Sequence, residues 1–428
     1  MKKLNIAIVG LGNIGSYLFK YLIKNKDILS KKNNCIPNIS YISARNRGKK
    51  RGLKINKKKW LNNYLDATKK KDVDLIIELI GGAEGPAKKL VFSALRNNKH
   101  VITANKALIA KYGDELSLIA EKNKVNLEFE ASVCGGVPII RSLKEGLIAN
   151  KIKKVFGIFN GTSNYILSSM DKMNKDFDEV LKKAKRLGYA ESNPSADLNG
   201  DDVSAKLKIL SSLCFNSFLN NNVHVEGIKE INKIDIDNAN ILGYKIKLLG
   251  VAEQIDNKIY QRVHPSLIKK NSYVAGVDGV LNAVLIEGSP VGQSVIQGEG
   301  AGPAATTSAL VSDISSILRG NVKFPFSISN KERKNLKFFD ITERFFSAYL
   351  RFEVIDRSGV LSNITNIFSK NNVSIKRLIQ TPSKNSKRSS IVIITHNSKD
   401  KFLNKIIKLI SKKKYILKKP VLIRIDES

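Results

Sequence analysis

The chain has 428 residues, of which 42% are hydrophobic and 26% are charged, a composition typical of a globular protein with two or three domains. It contains no run of about 18 apolar residues, so we predict no membrane span and no membrane partner. The formal net charge of +35 would suit a nucleic-acid binder. Because the lysines are spread along the whole chain without interleaved aromatic residues, we attribute this charge to composition and predict no nucleic-acid partner.

The three cysteines, Cys35, Cys134 and Cys214, form an odd set without paired spacing. Free thiols are typical of a reducing compartment, so we predict a cytoplasmic location. The first residues run directly into a glycine turn, which indicates a first strand rather than a signal peptide.

A glycine motif lies between a predicted strand, residues 4–9, and a predicted helix, residues 16–26. This strand–GxGxxG–helix order is typical of dinucleotide sites, because the glycines allow a tight turn and the helix N-terminus faces the pyrophosphate. A glycine-rich turn without a ligand is the alternative. The predicted cofactor contacts in this motif are Gly10, Gly12, Asn13, Ile14 and Gly15.

The second predicted strand, residues 39–43, ends in Ser-Ala-Arg rather than in an acidic residue. An acidic residue there would bind the ribose hydroxyl of NAD, whereas Arg45 suits the 2′-phosphate of NADP. We therefore predict NADP as the cofactor, with NAD possible. A solvated basic loop is the alternative.

Two further predicted strands, residues 74–81 and 100–103, end in polar or glycine-rich segments. Strands that alternate with helices predict an α/β fold with a doubly wound parallel sheet, whose ligands bind at the carboxyl ends of the strands. Thr103 and Lys106 lie at such an end and are predicted to contact the cofactor.

The loop from residue 130 to 138 follows another predicted strand and places several backbone carbonyls beside one carboxylate. Hard cations favour such oxygen ligands. Further on, Asn-Gly-Thr at residues 160–162 opens a predicted helix that could hold a substrate carboxylate at its N-terminus. Predicted strands over 251–268 and 273–286 indicate a mostly antiparallel sheet, a candidate dimer interface.

The segment from 184 to 206 is the most informative part of the chain. Its carboxylates Glu191, Asp197 and Asp202 lie close to Lys206, and Asp202 and Lys206 are four residues apart on one predicted helix face. Such a cluster could bind a small zwitterion and supply an acid–base lysine. The alternative is a surface loop, a capped helix and an ordinary ion pair.

After a candidate linker, residues 320–346, the C-terminal segment predicts the order βαββαβ of a ferredoxin-like unit. A polar hairpin is predicted over 382–389. The Asp-Arg-Ser-Gly-Val-Leu turn at residues 356–361 resembles the first turn of an ACT domain, a module that senses amino acids.

The segment 184–206 resembles the signature of homoserine dehydrogenases. The matching positions are Ala184, Gly188, Tyr189, Ala190, Asn193, Pro194, Asp197, Leu198, Gly200, Asp202 and Lys206. The Thr-Ala-Asn-Lys segment that ends at Lys106 resembles the same family, and the resemblance covers essentially the whole chain.

The resemblance implies a Rossmann domain over 1–131 completed by about 298–320, a catalytic and dimerisation domain over 132–297, a linker over 321–347, and an ACT domain over 348–428. It implies the NAD(P)-dependent interconversion of L-homoserine and L-aspartate 4-semialdehyde in threonine, methionine and isoleucine biosynthesis. It further implies L-threonine as an effector and a homodimer or homotetramer.

Roles for individual residues also follow from the resemblance. Lys206 would be the proton donor, Lys106 would orient substrate and nicotinamide, and Asp202 would position Lys206. The substrate would contact Glu191, Asp197, Gly161 and Thr162, and the cofactor would also contact Gly302. A sodium or potassium ion would be held by Glu130 and by the carbonyls of Val133, Gly135 and Val137.

Three other interpretations stay open at this point. The first is a Rossmann oxidoreductase that acts on another small amino-acid aldehyde. The second is a non-enzymatic amino-acid sensor of the ACT type, although both lysines are intact. The third is a nucleic-acid binder. Sequence also leaves open whether neighbouring lysines or neighbouring carboxylates dominate the pKa of Lys206, whose reference value is about 10.4.

Overall fold

The N-terminal part of the chain folds into a five-stranded parallel sheet with helices packed against it. The computed structural model describes residues 1–219, 222–320, 322–382 and 387–426. The strands lie in the order β2-β1-β3-β4-β5, and all of them are parallel. They are β1 (Lys2–Val9), β2 (Cys35–Ser43), β3 (Leu75–Glu78), β4 (His100–Thr103) and β5 (Leu127–Glu128). The helices are α1 (Asn13–Lys24), α2 (Lys26–Asn33), α3 (Asp66–Lys69), α4 (Pro86–Arg96) and α5 (Lys106–Lys122).

The apolar run in β1 explains its central position. Ile6, Ala7, Ile8 and Val9 are all buried, as expected for a strand of a parallel sheet that is covered on both faces. The predicted α/β class with a doubly wound parallel sheet is confirmed. One predicted helix differs: it begins earlier, at Asn13, and a second helix follows directly after a break at Asn25.

The middle of the chain forms an antiparallel sheet in the order β11-β10-β6-β8-β9. Its strands, with two short additions that pair with β9, are β6 (Lys151–Ile158), β7 (His224–Val225), β8 (Tyr244–Ile255), β9 (Lys258–Lys269), β10 (Leu281–Ser289), β11 (Gly292–Glu299) and β12 (Lys337–Phe338). The helices are α6 (Ile139–Arg141), α7 (Gly161–Met173), α8 (Phe177–Arg186), α9 (Ser195–Asn199), α10 (Asp201–Phe215), α11 (Lys233–Ile241) and α12 (Pro303–Leu318). Short turns of helix occur at Lys57–Lys59, Glu130–Ser132 and Ile341–Glu343, and one π-helical turn at Ser142–Gly146.

The two strands predicted for this sheet were wrong in extent. The predicted single strand 251–268 instead covers the end of β8, a turn at residues 256–257 and most of β9, which together form a long hairpin. Asp256, in the turn, has φ of 52°. Polar residues that tolerate positive φ are typical of hairpin turns, and the continuous apolar pattern on either side concealed this one. The predicted strand 273–286 begins only at Leu281, after a series of turns.

The C-terminal unit has the predicted βαββαβ order and the strand order β17-β13-β15-β14. Its elements are β13 (Phe345–Ile355), α13 (Val360–Lys370), β14 (Ile375–Pro382), β15 (Arg388–Thr395), β16 (Ser398–Lys399), α14 (Asp400–Ile410) and β17 (Val421–Asp426). The sheet and the two helices enclose their own apolar core, which includes Phe352, Ile364 and Leu403. Residues 383–386 of the predicted hairpin lie outside the described residues.

The C-terminal unit is continuous with the middle sheet. β17 pairs in parallel with β9, with Arg424 opposite Ser266, so that the two sheets form one sheet of twelve strands. The polar segment predicted as a linker is also packed against the rest of the chain. Arg333 donates to Asp114 at 2.6 Å and lies over the ring of the buried Phe326 at 4.2 Å. In the part of the chain that the structure describes, no helix is long and apolar enough to cross a membrane.

Candidate active site

A single buried carboxylate joins the two lysines that the sequence singled out. Asp202, in the first turn of α10, accepts from Lys206 Nζ at 2.7 Å through Oδ2. Its Oδ1 atom pairs with Lys106 Nζ at 2.8 Å. Lys106 is the first residue of α5, directly after the carboxyl end of β4, so this pair joins the parallel sheet to α10. Lys206 is buried, whereas the Lys106 side chain is 42% exposed.

Asn160 is the second centre of the cluster. Its Nδ2 atom donates to Asp197 Oδ1 at 2.7 Å and to Asp202 Oδ2 at 2.9 Å. Its Oδ1 atom accepts from the Ser163 amide at 2.8 Å and so caps the N-terminus of α7. Asn160 belongs to the predicted Asn-Gly-Thr segment, but only Gly161 and Thr162 of that segment were predicted to contact the substrate. The available signal was the cap position, since an asparagine before a helix can also bond its neighbours through the free amide.

The charges of the cluster are set by burial and by ion pairing. Burial works against the charge of Asp202, but the ammonium groups of Lys206 and Lys106 hold its pKa well below its usual range. Burial also opposes the charge of Lys206, but the Asp202 carboxylate outweighs it, and the pKa of Lys206 is raised. The carboxylates therefore dominate over the second lysine, which sequence alone left open. Burial raises the pKa of Asp197, against the bond from Asn160.

The N-terminus of α7 lies beside the signature segment. Thr162 Oγ1 donates to the carbonyl of Tyr189 at 2.7 Å, and the rings of Tyr165 and Tyr189 lie 4.9 Å apart. Gly161, the first residue of α7, lies so close to the Val280 carbonyl that a side chain there would collide with it. The Glu191 side chain is exposed and forms no hydrogen bond or ion pair with any described residue.

The glycine motif forms a tight turn between β1 and α1. A side chain at Gly15 would collide with the backbone carbonyl of Gly10, so the helix can approach the turn only with glycine there. At Gly12, by contrast, the space outside the turn is open. α1 begins at Asn13 and Ile14 without a side-chain cap, so its first amides face this open space. This cradle fits the pyrophosphate of a dinucleotide.

The carboxyl ends of β3 and β4 are joined by a side-chain hydrogen bond. Thr103 Oγ1 donates to Glu78 Oε2 at 2.5 Å, and Glu78 Oε1 accepts from the Ile80 amide at 2.7 Å and from the Gly81 amide at 2.9 Å. The buried Glu78 was not selected from the sequence, and its position at the end of an apolar strand was the only available signal. Arg45 lies exposed beyond the end of β2.

The loop after β5 carries the predicted cation ligands. Both oxygens of the buried Glu130 accept backbone bonds, from Ile140 at 2.9 Å and from Arg141 at 2.6 Å. Burial raises the pKa of Glu130 to about 7. Within the same loop, Cys134 and Gly135 have positive φ, and Cys134 is buried.

The outer residues of this loop are each bonded or packed. Val133 is buried, and the Val137 carbonyl already accepts from the Ile139 amide at 2.7 Å. The Gly136 amide donates to the Glu299 carbonyl at 2.8 Å, which brings the loop close to the segment that ends at Gly302, the N-cap of α12. All three cysteines are free, as predicted.

Family models match three consecutive parts of the chain. The NAD-binding domain of homoserine dehydrogenase matches residues 10–130, homoserine dehydrogenase matches residues 138–315, and the ACT domain matches residues 348–412. The homoserine dehydrogenase of Neisseria gonorrhoeae is 38% identical, over 100% of this chain and 99% of that protein. The homoserine dehydrogenase of Bacillus subtilis is 36% identical, over 94% of this chain and 93% of that protein.

Solved structures give the same result. A homoserine dehydrogenase from Thiobacillus denitrificans superposes with a TM-score of 0.93 at 36% identity, over 100% of this chain and 99% of that chain. A hyperthermophilic archaeal homoserine dehydrogenase in complex with NADPH superposes with a TM-score of 0.64 at 25% identity, over 75% of this chain and 100% of that chain. With its nicotinamide-binding domain, its catalytic sheet and its C-terminal ACT domain, the chain belongs to the homoserine dehydrogenase family.

Proposed function

We propose that the cluster around Asp202 converts L-aspartate 4-semialdehyde to L-homoserine and back, with Lys206 as the proton donor and acceptor. The observation that carries this proposal is the bridge from Asp202 to both Lys206 and Lys106. The bound nicotinamide coenzyme supplies or accepts the hydride. In the reduction, Lys206 Nζ donates a proton to the aldehyde oxygen as negative charge develops there. Its raised pKa keeps it protonated at neutral pH.

The remaining residues of the cluster would bind and orient the substrate. Lys106, the more exposed of the two lysines, would lie between the coenzyme and the reacting carbon. Asp197 and Glu191 would bind the ammonium group, and the first amides of α7, at Gly161 and Thr162, would bind the carboxylate. A product with an amino acid backbone and a primary alcohol suits a role in threonine, methionine and isoleucine biosynthesis. Steady-state rates with homoserine and with other amino alcohols test this assignment.

For the coenzyme we propose a preference for NADP. Arg45 is exposed at the end of β2, where the ribose of a dinucleotide lies in such folds. A charge-assisted bond to the 2′-phosphate is worth about 1.5–3 kcal/mol, or on the order of 10- to 150-fold in kcat/KM. We expect Arg45→Asp to reverse the preference.

The matched control for this coenzyme prediction is Arg47→Asp. Arg47 carries the same charge two residues away, but it lies over the ring of Trp60 at 5.5 Å. This control should change the ratio of kcat/KM for NADP and NAD much less. A wild-type enzyme that clearly favours NAD would contradict the role of Arg45.

We also propose that the loop at Glu130 holds a sodium or potassium ion through the Glu130 carboxylate and the carbonyls of Val133, Gly135 and Val137. The pKa of the Glu130 carboxyl is about 7 in the folded chain and 4.5 for the unperturbed side chain. Its contribution to folding stability is therefore fully present below pH 4.5 and is lost as the pH rises from about 4.5 to about 7. A bound cation favours the carboxylate and would restore this stability.

The expected result for the cation site is a higher Tm in NaCl or KCl than in choline chloride at equal ionic strength, with a larger difference at pH 8 than at pH 5.5. The physical reason is that the carboxylate form, which the cation needs, dominates only above pH 7. Glu130→Gln should remove the difference. An equal shift at both pH values, or one that persists in the variant, would point to general salt effects.

We propose L-threonine as the effector of the ACT domain. The turn from Asp356 to Gly359 lines a cavity of about 270 Å³ together with Gln380 and Ile391, a size that suits one small amino acid. Gly359 has φ of 83°, and it is the N-cap of α13. In the full chain we expect Gly359→Asp to abolish inhibition by threonine, because its carboxylate would repel that of the ligand.

Gly243→Asp controls for the backbone strain that an aspartate causes at a position with positive φ. Gly243 has φ of 85°, is exposed, and lies after α11, away from the ACT turn. It should retain inhibition. If neither variant loses inhibition by threonine, threonine acts elsewhere, for instance as a competitor in the homoserine pocket. If both variants lose inhibition, the loss is not specific to the ACT turn.

We further propose a homodimer or homotetramer with the antiparallel sheet as its interface, and a cytoplasmic location. The free thiols support the location. Sedimentation of the purified chain tests the assembly.

A further inference from the structure

A cluster of buried charges lies where the ACT sheet joins the catalytic sheet. Arg424, on β17, donates through Nη1 to Glu226 Oε2 at 2.8 Å and through Nε to Asp400 Oδ1 at 2.7 Å. Arg262, on β9, donates to Glu226 Oε1 at 2.6 Å. Arg424 and Asp400 are each 1% exposed, and Arg262 is fully buried. Burial opposes the charge of Glu226, but His224 and the two arginines hold its pKa well below the usual range.

Glu226 thus connects two parts of the protein. Arg424 and Asp400 belong to the C-terminal ACT unit, β13 to β17. Glu226 and Arg262 belong to the catalytic unit, which is built around the middle sheet. Buried charges are costly unless they are paired, so the position of Glu226 depends on Arg424 as well as on Arg262.

The backbone that follows Glu226 lies against the signature segment. The Glu226 amide donates to the Val263 carbonyl at 2.8 Å, and the Ile228 amide donates to the Leu198 carbonyl at 2.9 Å. Gly227, between them, lies so close to the Leu198 carbonyl that any side chain there would collide with it. Leu198 follows Asp197 in the short helix α9. The backbone of residues 226–228 and its hydrogen bond to Leu198 therefore connect the Arg424–Glu226 pair to the helix that carries Asp197.

We propose that Arg424 and Glu226 are positioning residues, through which the ACT domain sets the position of α9 and so of the Asp197 carboxylate in the homoserine site. This inference rests on the proposed role of Asp197 in substrate binding. The C-terminal domain then contributes to affinity for homoserine in the absence of any effector.

A second buried ion pair between the same two units provides a control. Arg351, on β13, donates to Asp235 through Nε at 2.6 Å and through Nη2 at 3.1 Å. Arg351 is 2% exposed, much like Arg424. Asp235 lies on α11, however, and this helix contacts α7 at its C-terminal end, where Asn240 donates to Asp171 at 2.5 Å. Loss of this pair should loosen the junction without moving α9.

The experiment compares Arg424→Met with Arg351→Met in the full-length chain by steady-state kinetics and thermal unfolding. Both variants should lower Tm. Arg424→Met should raise KM for homoserine by about tenfold or more, because small misplacements of binding groups are costly. Its KM for the coenzyme should change by less than about twofold, and Arg351→Met should leave both KM values near those of the wild type. Arg424→Lys, which keeps the charge, should recover part of the affinity.

A double-mutant cycle locates the effect. If Arg424 acts through Asp197, the effects of Arg424→Met and Asp197→Asn on KM should be less than additive. Equal kinetic changes in the two arginine variants, or an unchanged KM in Arg424→Met and Glu226→Gln, would overturn the inference. A normal KM in Asp197→Asn alone would instead overturn the proposed substrate site. If Arg424→Met does not fold, Glu226→Gln and Arg424→Lys carry the same test.

Discussion

Replacement of Lys206 by alanine is expected to lower kcat by at least the roughly 10²–10⁴-fold that is typical of general acid–base groups. The Nζ atom is buried and donates to Asp202 at 2.7 Å and to the Phe159 carbonyl at 2.6 Å. Coenzyme binding should change little, because Lys206 lies on α10 rather than in the glycine turn. Steady-state kinetics and coenzyme titration by fluorescence measure the two effects separately.

The control for this substitution is Lys208→Ala. Lys208 lies on the same helix two residues further on, is half-buried, and belongs to a different helix face. It should retain a rate within a few-fold of the wild type, since it removes the same charge outside the cluster. A Lys206→Ala enzyme with half of the wild-type rate would assign proton transfer to another group, with Lys106 the first candidate.

Asp202→Asn is expected to produce the second large effect, a fall in kcat of at least about 10²-fold together with a shifted pH profile. The amide keeps the shape of the carboxylate but removes the charge that both lysines share. In the wild type the Asp202 carboxylate outweighs burial and raises the pKa of Lys206. In the variant burial acts without that opposition, so the pKa of Lys206 should fall.

The sign of the pH effect follows from the protonation state that the reaction needs. In the proposed mechanism, reduction of the aldehyde requires protonated Lys206, so the rate of reduction should decline as the pH rises through the pKa of Lys206. The decline should therefore occur at lower pH in Asp202→Asn than in the wild type. Asp197→Asn removes a carboxylate that accepts from Asn160 but forms no ion pair with either lysine. Because Asp197 raises the pKa of Lys206 less than Asp202 does, this variant should shift the pH dependence much less. If the decline in rate occurs at the same pH in Asp202→Asn as in the wild type, Lys206 does not titrate in catalysis.

The sequence was sufficient to predict those features whose residues all lie within one short stretch of the chain. The glycine turn at 10–15, the (i, i+4) pair of Asp202 and Lys206, and the turn at Asp356 are all short-range features whose geometry follows from backbone preferences and helix periodicity. The apolar runs of the parallel strands and the βαββαβ order were predicted for the same reason, since each element is encoded by its own pattern.

Contacts between distant parts of the chain were decided only by tertiary structure. Lys106 and Asp202 meet because β4 ends, and α10 begins, at the same crevice, and Asn160 bonds Asp202 across 42 positions of sequence. The pairing of β17 with β9, and with it the burial of Arg424 against Glu226, depends on how two separate sheets dock edge to edge. Sequence periodicity specifies which face of an element is buried, but it carries no information about which other element covers that face. For this reason the sequence could single out Lys106, Asp202 and Lys206 as candidates, but it missed Asn160 and left open the balance of charges that sets the pKa of Lys206.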